Sequence, residues 1–80
     1  MGTYLLCHRH EAAQCRFAFA AWRGFGSPLR RTSTLSSCPQ GRHEIWWTVD
    51  AADRAAALAQ LPPFLRTRTE AIPVCEVPIP

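Results

Sequence analysis

Hydrophobic and polar positions change period several times along the chain, and each change marks an element. Thr3 to His8 is a compact β-forming run and predicts a strand. From Glu11 the period lengthens. Cys15, Ala18, Phe19 and Trp22 recur at three- and four-residue spacing between polar Glu11, Gln14, Arg16 and Arg23, which predicts a helix over Glu11 to Trp22. Gly24, Gly26 and Pro28 stop it. Arg30 to Thr32 is a connector, and Ser33 to Cys38 is a strand of thin apolar content. Pro39 to Arg42 has turn chemistry, because Pro presets one torsion and Gly41 supplies a positive φ.

His43 to Val49 alternates strictly. His43, Ile45, Trp47 and Val49 share one face; Glu44, Trp46 and Thr48 share the other. Residues 33–49 therefore form a hairpin. Asp50 is the expected cap of a helix from Ala51 to Leu61, with Asp53 in its first turn and Ala51, Ala55, Leu58 and Leu61 as its apolar stripe. Pro62 and Pro63 end that helix. Thr69 to Ile79 is a last strand, and Pro73 and Pro78 confine it to a sheet edge or a bulge.

The order strand, helix, strand, strand, helix, strand predicts one α+β domain over residues 1–80. The expected fold is a ferredoxin-like βαββαβ, a four-stranded antiparallel sheet of order 4-1-3-2 with two helices on one face. That leaves the other sheet face, carrying Trp46, uncovered. A large exposed apolar face is unusual for a monomer, so a homodimer is expected, with Trp46 in the interface and Phe17 as a second contact. Trp47, in line with Ile45 and Val49, belongs to the core.

Composition changes this picture in three ways. At 80 residues and 48% hydrophobic content the chain folds, but with a small core that benefits from a dimer, a metal or a disulfide. No apolar run approaches the roughly 20 residues of a membrane helix, and no secretory leader is readable, so a cytoplasmic protein is expected. Lys and Asn are absent while Arg, Ala and Pro are plentiful, the bias of a GC-rich bacterial, actinobacterial-type genome. The net charge of +3 is spread among scattered arginines. Neither the Arg30-Arg31 pair nor Arg66-Thr67-Arg68 makes a nucleic-acid footprint, and the third strand lacks the basic-aromatic pattern of RNA-recognition domains.

A resemblance enters at the second half of the chain. From His43 to Val77 a strand, a helix, the Leu61-Pro62-Pro63-Phe64 exit and a final strand resemble the C-terminal half of muconolactone isomerase and other dimeric α+β-barrel proteins. The whole chain also resembles short actinobacterial proteins. The isomerase resemblance implies a dimer with a ligand pocket. It assigns no catalytic residue to a position here.

The chemistry-bearing residues gather by topology. His8, His10, Cys15, Cys38 and His43 all fall near one end of the expected fold: the end of the first strand, the start of the first helix, and the turn between the hairpin strands. Imidazole and thiolate are what Zn²⁺ prefers, as four ligands in a tetrahedron, so these five are candidate metal ligands with Glu44 as a partner that orients an imidazole. The spacings match no zinc-finger pattern. A thiol reading competes, in which Cys15, activated by a helix N-terminus and His10, pairs with Cys38. In a third reading Cys15 is core. Cys7 and Cys75 are expected to face one another across neighbouring strands as small apolar residues.

Three function classes follow. The first is a metal- or small-ligand-binding protein using the His/Cys edge. The second is a small isomerase- or monooxygenase-like enzyme with a His acid/base, and the third a non-catalytic dimeric interaction module.

Overall fold

In the computed structural model, which describes residues 1–80, the second long strand closes over the first along its whole length. Strand β1 (Gly2–Arg9) pairs antiparallel with β3 (Glu44–Ala51) from Gly2↔Ala51 to Arg9↔Glu44. Its other edge takes β4 (Thr69–Val74), again antiparallel, from Thr3↔Val74 to His8↔Thr69. Strand β2 (Leu35–Ser36) adds two residues to the outer edge of β3. The result is a small α+β structure whose sheet order is β2-β3-β1-β4, or 4-1-3-2 counted from the β4 edge.

The helices are shorter than the sequence periodicity suggests. The expected helix from Glu11 to Trp22 is a 3-10 turn, Ala12–Gln14, followed by α1 (Cys15–Ala20). Ala18 is its one buried residue, while Phe17 and Phe19 are 50% and 52% exposed. A two-turn helix presents only a narrow row to the sheet, so Cys15, Ala18 and Trp22 turn inward and Phe19, one step round, falls at the rim. The expected helix from Ala51 to Leu61 is α2 (Arg54–Leu58), because β3 runs on through Asp50 and Ala51. Its cap is Asp53, whose carboxylate accepts from the Ala56 N–H at 2.8 Å; Asp50 instead accepts from the Thr3 hydroxyl. The inward residues are therefore Ala57 and Leu61, not Ala55. A further helix, α3 (Pro63–Arg66), follows the Pro62-Pro63 step, with Pro63 at its first position, where no N–H is needed.

The hydrophobic core lies on the sheet face that carries Leu6, Ile45, Trp47, Val49 and Ala71. Ala18, Ala57, Leu61 and Leu65 pack onto it from the helices. Leu6, Leu61 and Leu65 are fully buried, each contributing about 1.5–3 kcal/mol of transfer free energy. Residues 21–34 form a long connection that folds back on this core through Trp22 and Leu29. Ser27 pins it by donating to the Gln60 carbonyl at 2.7 Å. The Arg66 guanidinium donates to the carbonyls of Leu58, the last residue of α2, and of Leu61 just beyond it.

The expected strands at both ends of the hairpin and chain are trimmed. Cys38 opens a 3-10 turn, so β2 stops at Ser36; the Thr34 hydroxyl bonds to the Trp46 carbonyl in place of a ladder hydrogen bond. Strand β4 ends at Val74, short of Ile79. Cys7 therefore faces Glu70 rather than Cys75, which is exposed beyond the sheet.

Removing the α2 cap should be measurable. Asp53→Ala is expected to lose about 1 kcal/mol in urea unfolding, while Asp50→Ala, on an exposed hydrogen bond, stays within about 0.5 kcal/mol of the parent. The reverse ranking would place the cap at Asp50.

Candidate metal centre

Strand parity and two tight turns build the site. Along β1, Leu6 and His8 alternate onto the core face, and His10, just past the strand, continues the series; both histidines are buried. Glu11 then turns the chain, its N–H donating to Gln14 Oε1 at 2.9 Å, and delivers Cys15 at the start of α1. The third contribution comes from the β2–β3 connection. Its loop is closed by Ser37 N–H to Glu44 C=O at 2.9 Å and Glu44 N–H to Ser37 Oγ at 3.1 Å. Cys38 N–H donates to Ser36 Oγ, Gly41 ends the 3-10 turn at φ 90°, and His43 follows at φ 60°. His is one of the few side chains that tolerates this left-handed region. The His43 carbonyl then accepts from His10 N–H at 3.2 Å, locking the loop to the end of β1.

These turns bring four side chains together. One donor atom from each of His10, Cys15, Cys38 and His43 lies within 4.8 Å of every other, a group that can hold a metal ion. In a zinc tetrahedron with bonds of roughly 2.0–2.3 Å, ligand atoms sit about 3.3–3.8 Å apart. His10 Nε2 and Cys38 Sγ are already at 3.5 Å. The widest pairs need to close by about 1 Å. Two sulfurs and two nitrogens are the donor set of tetrahedral Zn²⁺. His43 Nδ1 is buried and has no hydrogen-bond partner.

Behind His10 runs a hydrogen-bond relay that fixes its tautomer. The Thr69 hydroxyl donates to the Leu65 carbonyl at 2.6 Å, so its oxygen accepts from His8 Nδ1 at 3.1 Å. A neutral His8 with its proton on Nδ1 presents a lone pair at Nε2, and His10 Nδ1, 2.9 Å away, must donate to it. His10 Nε2 is thereby left as a lone pair aimed at the cluster, as a metal ligand requires. Both imidazoles are held neutral. Burial first, then the neighbouring His10, pushes His8 down to about 4, and burial followed by His43 lowers His10. Burial and then the hydrogen bond to Cys38 raise the Cys15 thiol, the opposite of the helix-activated thiolate expected from its position.

Two expected site residues are reassigned. His8 is no ligand: both its ring nitrogens are bonded, to Thr69 and to His10, and it stands behind the cluster. Glu44 orients no imidazole, since it lies on the opposite face of β3. Its carboxylate is bonded to Arg42 and Arg9, with Arg42 chiefly responsible for lowering its pKa. Sequence reasoning missed Thr69. Only the β1–β4 register, which sets Thr69 opposite His8, could have found it.

Comparison with protein-family models, curated proteins and solved structures finds no match to this chain.

The neutral His8 makes metal-free protein acid-sensitive. The unfolded chain binds a proton near the ordinary 6.5, whereas the folded one resists it down to about 4. Stability is therefore intact above pH 6.5 and falls between 6.5 and 4, by up to about 3 kcal/mol. Urea unfolding of chelated protein at pH 7, 5.5 and 4 checks this, and His8→Asn should flatten the slope.

Proposed function

We propose that this protein is a zinc-binding α+β domain in which the ion is structural and not hydrolytic. The observation that carries this reading is the convergence of His10, Cys15, Cys38 and His43 to within 4.8 Å from three separate segments. Four protein ligands close a tetrahedron and leave no position for a reactive water, the signature of a structural site. In this reading the unpartnered Nδ1 of His43 is the fourth donor, and the relay Leu65–Thr69–His8 serves to orient His10. Both thiols must ionise for the metal, and their pairing with a dication reverses the raised pKa of Cys15.

The enzyme reading has less support. The most enclosed cavity is lined by neither a histidine nor an acid. A shallow hollow beside Glu44 and Glu70 includes His8, but both nitrogens of that ring are already bonded, so no free base stands there.

We infer further that the chain follows the ferredoxin-like βαββαβ plan and associates through its open sheet face, in a reducing cytoplasm that keeps the thiols free. Element order and antiparallel pairing support the first. For the second, Leu35 is 75% exposed and shares an open hollow with Leu5 and Trp46 on the face that no helix covers.

Elemental analysis of protein purified without chelator is expected to give one zinc per chain, and chelation should lower Tm. Cobalt substitution should show thiolate charge-transfer absorption that Cys38→Ser diminishes. A metal-free protein whose Tm ignores both zinc and chelator would sink the proposal, and a Cys15–Cys38 disulfide in its place would favour the thiol reading. Thr69→Val, which cuts the relay without touching a ligand, should weaken zinc by about 10–100-fold. Sedimentation at micromolar concentration should give a mass twice 9.0 kDa; a monomer there refutes the dimer alone.

A further inference from the structure

The most enclosed cavity in the molecule lies apart from the four-residue cluster, between the long 21–34 connection and β3, and holds roughly 240 Å³. That is the space of about eight waters, and less than the roughly 300–1,000 Å³ of sites for drug-sized ligands. The space within its walls suits a small ligand.

Three kinds of wall define what that ligand carries. The apolar wall includes the indoles of Trp22 and Trp47, whose centroids are 5.9 Å apart at a tilt of 53°. Flat, rigid rings of this kind bind an apolar side chain at low entropic cost. The second wall is cationic. Arg30 and Arg31 line the cavity, no acid does, and both ion pairs in the chain belong to Glu44 with Arg9 and Arg42. Two guanidiniums without a carboxylate partner, beside an apolar surface, select a carboxylate. Arg31 is moreover held at φ 67°, a conformation that costs a non-glycine residue free energy and that the loop retains.

The third wall is made of hydroxyls whose protons are already used. Thr32 Oγ1 donates to the Leu29 carbonyl at 2.6 Å, Thr34 Oγ1 to the Trp46 carbonyl, and Ser36 Oγ to the Glu44 carbonyl at 3.1 Å. A hydroxyl has one proton, so these oxygens can only accept from a ligand. A ligand that is anionic toward the arginines gains further contacts if it also offers a hydrogen-bond donor toward the exposed threonine oxygens.

We propose that this cavity binds a free α-amino acid with an apolar side chain. Its carboxylate meets Arg30 and Arg31, its ammonium the oxygens of Thr32 and Thr34, and its side chain the faces of Trp22 and Trp47. A simple fatty or aryl acid would forgo the contacts to the threonine oxygens, and an amine those to the arginines.

The test is titration of the full chain with leucine and phenylalanine, followed by calorimetry and by the indole N–H resonances. Trp46, on the far face of the sheet, is an internal control. Saturable binding is expected to shift Trp22 and Trp47 and leave Trp46 in place. 3-Phenylpropionate, 2-phenylethylamine and glycine, each lacking one of the three groups, should bind at least about tenfold more weakly. Arg30→Gln and Arg31→Gly should each weaken binding by about tenfold. Arg31→Gly should do so with Tm unchanged or raised, because glycine accepts the positive φ. The proposal is overturned by no saturable binding up to roughly 10 mM, a concentration beyond any specific site of this kind. It is equally overturned by 3-phenylpropionate binding as tightly as phenylalanine, by shifts confined to Trp46, or by wild-type affinity in both arginine variants.

Discussion

Strand β1 is the constraint on which the rest of the molecule depends. It is paired on both edges, with β3 over its whole length and with β4 over six residues. A strand so placed has no register freedom, because a one-residue slip would send Leu6 to the open face and Cys7 into the core. The same parity that buries Leu6 buries His8 and carries His10 to the core side. One alternation thus specifies both the apolar centre and the imidazole pair, and the site inherits the rigidity of the sheet's middle.

The rest of the cluster depends on turns, which are specified differently. Cys15 is placed by the short turn that Glu11 and Gln14 close, and Cys38 and His43 by a loop with Pro39 early and Gly41 at its left-handed end. Apolar burial contributes little to either turn, Cys38 alone among the turn residues packing against the core. Each is held by side-chain-to-backbone hydrogen bonds from Ser36, Ser37 and Gln14, which cost little to form locally and compete with longer secondary structure. That competition is why β2 is only two residues long, and why a 3-10 turn replaces the first turn of the expected helix.

This division accounts for how much was legible in the sequence. A β-forming run in residues 3–8 and alternation in 43–49 named the two central strands, and the alternation assigned Trp47 inward and Trp46 outward, because a buried face writes itself in period two. The expected topology gathered His8, His10, Cys15, Cys38 and His43 at one end of the sheet, and all but His8 converge as one group. Helix length was not legible: Ala-rich propensity in residues 51–61 runs through Ala51 and Ala52, yet pairing with Gly2 keeps Ala51 in β3. Nor was the role of His8, since ligand and supporting imidazole look alike until a partner at each nitrogen is known. Thr69 is a threonine near the start of a strand, and only its position opposite His8 gives it meaning.

The core itself explains why such a cluster matters energetically. Of its ten buried apolar residues four are alanines: Ala18, Ala51, Ala57 and Ala71. Alanine lets helix and sheet approach closely, but it removes little apolar surface from water, so close packing here yields less transfer free energy than a leucine core of equal size. Chains of this length meet that shortfall with a crosslink or a partner. The four-residue cluster joins the end of β1, the start of α1 and the β2–β3 turn, three segments whose turns depend largely on local hydrogen bonds. A metal ion held there would close loops between residues 10, 15, 38 and 43 at once, and the longest of them, from 15 to 38, is the one whose closure removes the most entropy from the unfolded chain.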